Sequence, residues 1–169
     1  HAGYMMMGVI ALNNGGGAAA IYYIAVYLFM NLACFSVVIL LSKRGENVTV
    51  DDLAGLSKRA PLLALTLAVS AFSLAGIPPA GGFTGKFFLF VSAFKEGYLN
   101  IVIIGAVNTV ISIFYYLNLV RMSYSKETGS LPPIHLSFPE KALCCVFIVM
   151  ILYLGLMPFG LMGIFRSAI

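Results

Sequence analysis

The chain has 169 residues, 61% of them hydrophobic and only 9% charged, with a formal net charge of +4. So apolar a composition excludes a soluble globular domain and indicates an all-α, polytopic transmembrane helix bundle. The basic residues lie between apolar runs, so the positive balance reports membrane orientation and not nucleic-acid binding. The three cysteines, Cys34, Cys144 and Cys145, sit inside apolar runs at no zinc or redox spacing. His1 and His135 make no convincing haem pair.

Residues 1–12 form an apolar remnant closed by Asn13, Asn14, Gly15, Gly16 and Gly17. It is too short to cross a hydrocarbon core of about 30 Å. The chain is therefore expected to be the C-terminal portion of a longer polypeptide. A helix over 18–42 is long enough to cross, and Tyr23, Tyr27 and Asn31 share one face of it. That stripe suits buried helix packing or the edge of a hydrated path. The connection 43–60 is the most polar part of the chain, and Asp51 and Asp52 could open a short surface helix.

The third apolar element, 62–94, would be roughly 50 Å long as one helix, against a core of about 30 Å. Between its ends lies SLAGIPPAGGFTGK. Pro78 and Pro79 cannot continue a helical ladder, and Gly76, Gly81 and Gly82 tolerate unusual dihedrals. The pattern predicts two half-helices with a non-helical link over 76–82. Irregular backbone survives at membrane depth only inside protein or beside water, and transporters place ion sites at such breaks. Gly81 and Gly85 form GxxxG, which lets another helix approach closely. The resemblance to a phosphate loop fails, because Ala80 stands at its first glycine and Phe87 at its hydroxyl position.

Lys86 follows the break, nine residues or about 13 Å of helix from the next charges at Lys95 and Glu96. Its stem cannot easily snorkel that far, so its ammonium is expected near mid-membrane. Desolvation there disfavours the charged form, and so does the positive N-terminal end of its own half-helix. A lysine that can lose and regain a proton in the membrane is a relay candidate; the alternative is a permanent ion pair in a static bundle. Thr66, Ser70 and Ser73 share a face of the first half-helix, where they can bond back to the backbone or line a wet cavity.

A fourth helix over 99–124 carries Asn108, Ser112 and Tyr116 on one face, which is expected to look inward. The connection after Tyr124 is rich in proline, glycine and charge, and includes His135. A fifth helix runs over 141–157, and the tail 158–169 reads as interfacial. Lys43, Arg44, Lys58, Arg59, Arg121, Lys126 and Lys141 fall on one side, against Lys95 and Arg166 on the other. The first side is expected to be cytoplasmic, with the C-terminus outside.

HAGYMMMG at 1–8, YLFMNLACF at 27–35, DDLAGLSKRAP at 51–61 and SLAGIPPAGGFTGKF at 73–87 together resemble the subunit N family of proton-translocating NADH:quinone oxidoreductase, respiratory complex I. These subunits form part of an antiporter-like family shared with cation/proton antiporter complexes. The resemblance implies an inverted-repeat fold, each repeat with a broken helix, of which this chain holds one half in about five helices. It implies a hydrated path of buried lysines and a glutamate, with Lys86 matching the lysine of the second broken helix. It places NADH, FMN, the iron–sulfur clusters and quinone in the wider complex, with no cofactor in this chain. The implied partners are other membrane-arm subunits, the lipid bilayer and protons, in a bacterial inner membrane or its mitochondrial or thylakoid counterpart. A cation/proton antiporter subunit, a membrane hydrogenase subunit and a non-conducting structural subunit are the alternatives.

Overall fold

The computed structural model describes residues 1–12, 15–42, 47–125 and 133–167. Eight α-helices and one 3-10 turn make up the regular structure of these residues. The helices are α1 (Ala2–Ile10), α2 (Gly16–Leu41), α3 (Leu56–Arg59), α4 (Pro61–Ala75), α5 (Gly81–Lys95), α6 (Leu99–Ser123), α7 (Phe138–Leu156) and α8 (Pro158–Ser167). Three of them, α2, α6 and α7, are long and apolar enough to cross a membrane. The chain is an integral membrane protein. Asn13, Asn14, Lys43, Arg44, Lys126 and Ile169, on which parts of the sequence reading rest, lie outside the described residues.

Helix α2 is the central post. Its Tyr22, Tyr23, Val26 and Met30 are fully buried in the main core, together with Leu74, Leu89, Ile151 and Leu154 from α4, α5 and α7. Gly81 and Gly85 provide the close approach expected of GxxxG. A Cβ on Gly81 would come within 2.9 Å of Val26, and one on Gly85 within 2.6 Å of the Tyr23 ring. Large apolar side chains point outward instead, with Phe114 81% exposed on α6 and Phe138 84% exposed on α7. In a bilayer that outward face meets lipid or neighbouring helices.

A second core gathers Val37, Leu53, Leu56, Leu63, Leu67 and Cys144 at one end of the bundle. The two polar connections meet there, where the Ile134 amide donates to the Arg59 carbonyl at 3.2 Å and the Gly55 amide donates to the Ser125 hydroxyl at 3.3 Å. Asp51 and Asp52 open a 3-10 turn, Asp51–Leu53, and the short helix α3 follows it.

The structure departs from the sequence reading in three places. Helix α7 begins at Phe138 and not at 141, because Ser137 and Glu140 form a reciprocal capping box and proline is tolerated in the first turn. The tail after Pro158 is helical, and its Met162 is buried in the main core. The break is shorter than expected: α4 ends at Ala75, and Gly81 and Gly82 already belong to the first turn of α5. These two glycines provide space, not unusual dihedrals. A Cβ on Gly82 would run into the Ser73 carbonyl oxygen.

Candidate functional site: a lysine at the helix break

A helix ends with four carbonyls that lack an intrahelical donor. In α4, Gly76 takes the left-handed conformation (φ 86°), and its amide donates to Phe72 and Ser73 at 3.0 Å. The Ile77 amide also donates to Phe72, at 2.9 Å. This is a Schellman end, and glycine suits its positive φ. The carbonyls of Leu74 and Ala75 stay open, because their donors four residues on would be Pro78 and Pro79, which have no N–H.

Lys86 fills this gap. Its Nζ donates to the Leu74 carbonyl at 2.9 Å and to the Ala75 carbonyl at 3.2 Å. It also lies 4.8 Å from the centroid of the Tyr4 ring, within cation–π range. The side chain is only 3% exposed. Among the described residues, the groups around this ammonium are carbonyls and a ring face, with no carboxylate.

The sequence reading placed the ammonium in the positive field of its own half-helix. The structure adds an opposing field from α4. Helical side chains lean toward their N-terminus, so the Lys86 stem runs back across the break to the negative end of α4.

The expected polar partners of Lys86 are engaged elsewhere. Thr66 donates to the Leu62 carbonyl at 2.8 Å, and Ser70 to the Leu67 carbonyl at 3.0 Å and to Cys34 Sγ at 3.4 Å. Ser73 donates to Met30 Sδ at 3.4 Å and accepts the Gly82 amide at 3.0 Å, which ties the start of α5 to the end of α4. All three hydroxyl residues are fully buried. Asn108 and Ser112 line a lateral cleft of about 350 Å³ between α1 and α6, which His1, Tyr4 and Tyr115 also line. Ser112 donates to the Thr109 carbonyl at 2.7 Å.

His1 joins this region, and the sequence reading gave it no role. Its Nδ1 is 2.7 Å from the Tyr23 hydroxyl and its Nε2 is 3.0 Å from the Tyr116 hydroxyl. The rings of Tyr4 and Tyr27 also lie close to it, at 6.2 Å and 5.1 Å between centroids. The Tyr4 hydroxyl bonds Thr109 Oγ1 at 2.7 Å and the Gly105 carbonyl at 3.1 Å. Tyr4 therefore presents its face to Lys86 and its hydroxyl to α6, with His1 alongside.

A buried cation at the junction of two half-helices, inside an apolar bundle, defines a membrane protein of the discontinuous-helix class. The chain belongs to the NADH:quinone oxidoreductase/Mrp antiporter transmembrane family, which residues 1–112 match. It is similar to "NADH-quinone oxidoreductase subunit N 2" of Opitutus terrae, with 48% identity over 94% of this chain and 33% of that protein. It is similar also to the protein of the same name from Syntrophobacter fumaroxidans, with 42% identity over 99% of this chain and 36% of that protein. The chain thus spans about a third of the length of these curated relatives. Among solved structures, respiratory complex I from Thermus thermophilus superposes with a TM-score of 0.84 at 30% identity, covering 96% of this chain and 37% of that one. The Mrp complex from Dietzia shares the fold, with a TM-score of 0.82 at 22% identity, covering 98% of this chain and 39% of that one.

Proposed function

We propose that the chain moves protons across an energy-coupling membrane as part of a membrane-arm subunit of NADH:quinone oxidoreductase, with Lys86 as a buried relay group. The observation that carries this reading is the Lys86 ammonium. It is buried and held by two carbonyls and a ring. A permanent ion pair would need a carboxylate, and none among the described residues faces it. A lysine held by neutral groups can release and regain a proton without breaking an ion pair.

The chain's own residues divide the work. Tyr4 and the open end of α4 hold the protonated amine. His1, Tyr23 and Tyr116 form a neighbouring chain of groups that can both donate and accept a proton. Asn108 and Ser112 line the cleft through which water would reach them. Thr66, Ser70 and Ser73 are assigned to packing and capping. NADH, FMN, iron–sulfur clusters and quinone are assigned to partner subunits, and this chain is proposed to hold none of them. The proposed setting is a bacterial inner membrane, with lipid and other membrane-arm subunits as neighbours, no nucleic acid, and the C-terminus outside. The family also includes Mrp antiporters, where the same lysine would serve cation/proton exchange; the names of the relatives favour the quinone-linked reading.

The test is proton translocation per electron in the assembled complex, in membrane vesicles at matched assembly. Lys86→Met keeps the bulk of the stem and removes the proton site. Lys86→Arg keeps a charge that does not come off in a protein. Both are expected to lower the ratio. Normal pumping in both variants would make Lys86 structural and overturn the reading.

A further inference from the structure

The last turn of α7 closes on the same joint from the other side. Pro158 follows that turn and lacks an N–H, so the Leu154 carbonyl has no helical donor. The buried Tyr22 hydroxyl donates to it instead. The next carbonyl, Gly155, accepts from the Thr84 hydroxyl at 3.0 Å. Gly155 lies directly against the link between the half-helices. A Cβ there would strike the Pro79 carbonyl oxygen and come within 2.7 Å of the Ala80 carbonyl carbon. A Cβ on Gly81 would meet the Ile151 carbonyl at 3.2 Å. The link thus rests on α7, while Lys86 spans it on the side of α4.

Thr84 and Lys86 are two residues apart on α5, so they project about 200° apart around its axis. Fixing one fixes the direction of the other. Other ties also bear on α5, among them Ser73 on the Gly82 amide, the Tyr23 ring against Gly85, and the Tyr22 and Tyr4 rings edge-on to Phe88 and Phe90. None of these is a hydrogen bond made by an α5 side chain on the face opposite Lys86; Thr84 makes one.

We propose that Thr84 is a positioning residue: docked on the Gly155 carbonyl, its hydroxyl sets the rotation of α5 and so delivers the Lys86 ammonium to the Leu74 and Ala75 carbonyls and the Tyr4 ring. This inference rests on the reading of Lys86 as the relay group. It makes a prediction that a packing role reverses. Valine matches the shape of threonine without the donor, whereas serine keeps the donor and loses a methyl.

The test compares wild type, Thr84→Val, Thr84→Ser, Thr84→Ala and Lys86→Met in the full assembled complex, in membrane vesicles at matched assembly. The readout is protons moved per electron, a ratio that a simple loss of folded complex leaves unchanged. Thr84→Val is expected to lose as much of the ratio as Lys86→Met does, while Thr84→Ser keeps the wild-type value. A wild-type ratio in Thr84→Val beside an impaired Lys86→Met would overturn the positioning role and leave the relay standing. A wild-type ratio in Lys86→Met would overturn both. Should the valine variant not assemble, Thr84→Ser against Thr84→Ala differ by the hydroxyl alone, and equal ratios in that pair would overturn the proposal.

Discussion

The ammonium of Lys86 and the ring of Tyr4 meet face-on, and this contact can be separated from the carbonyl contacts by substitution. Tyr4→Phe keeps the ring face and loses the hydroxyl bond to Thr109; Tyr4→Leu loses both. A desolvated cation–π contact is worth about 2 kcal/mol. Tyr4→Leu should therefore lower the proton-to-electron ratio, with Tyr4→Phe close to wild type; equal values in the two would remove the ring from the site. Lys86 itself was legible in the sequence, since a lone lysine far from other charges is conspicuous in an apolar run. Its partners were within reach of a donor count as well. Four residues before Pro78 and Pro79 stand Leu74 and Ala75, and those are the carbonyls it holds. The partners are backbone carbonyls, and not the hydroxyls and amides that share faces of the neighbouring helices. His1 carried no such signal, because Tyr23 and Tyr116 lie 22 and 115 residues away and no spacing rule links them.

The joint between α4 and α5 is the element on which the site depends. Ser73→Ala would leave the Gly82 amide buried without its partner, a loss of about 1–3 kcal/mol. Gly82→Ala would drive a methyl into the Ser73 carbonyl, for which overpacking typically takes about 1–3 kcal/mol. Both should lower the midpoint of heat inactivation of the assembled complex. The double variant should fall short of the sum, because the two changes act on the same pair of residues; simple additivity would mean that they act independently. The existence of the joint followed from the prolines and from excess length. Its extent did not, because glycine serves equally for odd dihedrals and for close approach, and only neighbours brought from other elements distinguish the two at Gly81 and Gly82. The start of α7 is hidden for a local reason: the Ser137–Glu140 box stands at the end of a proline-rich connection.

At the scale of the whole molecule, the two polar connections share one end of the bundle, where Arg59 meets Ile134 and Gly55 meets Ser125. Cysteines introduced at Val50 and His135 should therefore react with a membrane-impermeant reagent from the same side, and labelling from opposite sides would contradict the arrangement. At that end the Thr49 amide and hydroxyl donate to the Asp52 carboxylate at 2.7 and 2.8 Å, and these bonds hold its carboxyl below the usual carboxylate range. A lowered value means that the contact is fully present above the ordinary value of about 4 and is lost only as pH falls through the lower, folded one. Protease access to residues 47–53 should thus stay low from neutral pH down to about 4 and rise below it. In Thr49→Val, which loses the hydroxyl bond, the rise should begin at higher pH; an unchanged profile would remove Asp52 from the anchoring of this turn. The shared end and the all-helical plan were legible from charge and hydropathy. The way α7 closes on the break was not, since it depends on which carbonyls meet which side chains across, for Thr84 and Gly155, 71 residues of chain.

The broken helix is a rod cut in two and rejoined in part by a lysine arm. Charge-assisted bonds are roughly twice as strong as neutral ones. In the proposed relay, the arrival or departure of one proton at Nζ would therefore change the stiffness of the joint, and a force that draws the two halves apart would act back on that proton. Charge and mechanical strain would then be coupled at a single atom, and a pull delivered along the membrane plane from a distant part of an assembly would have somewhere to act.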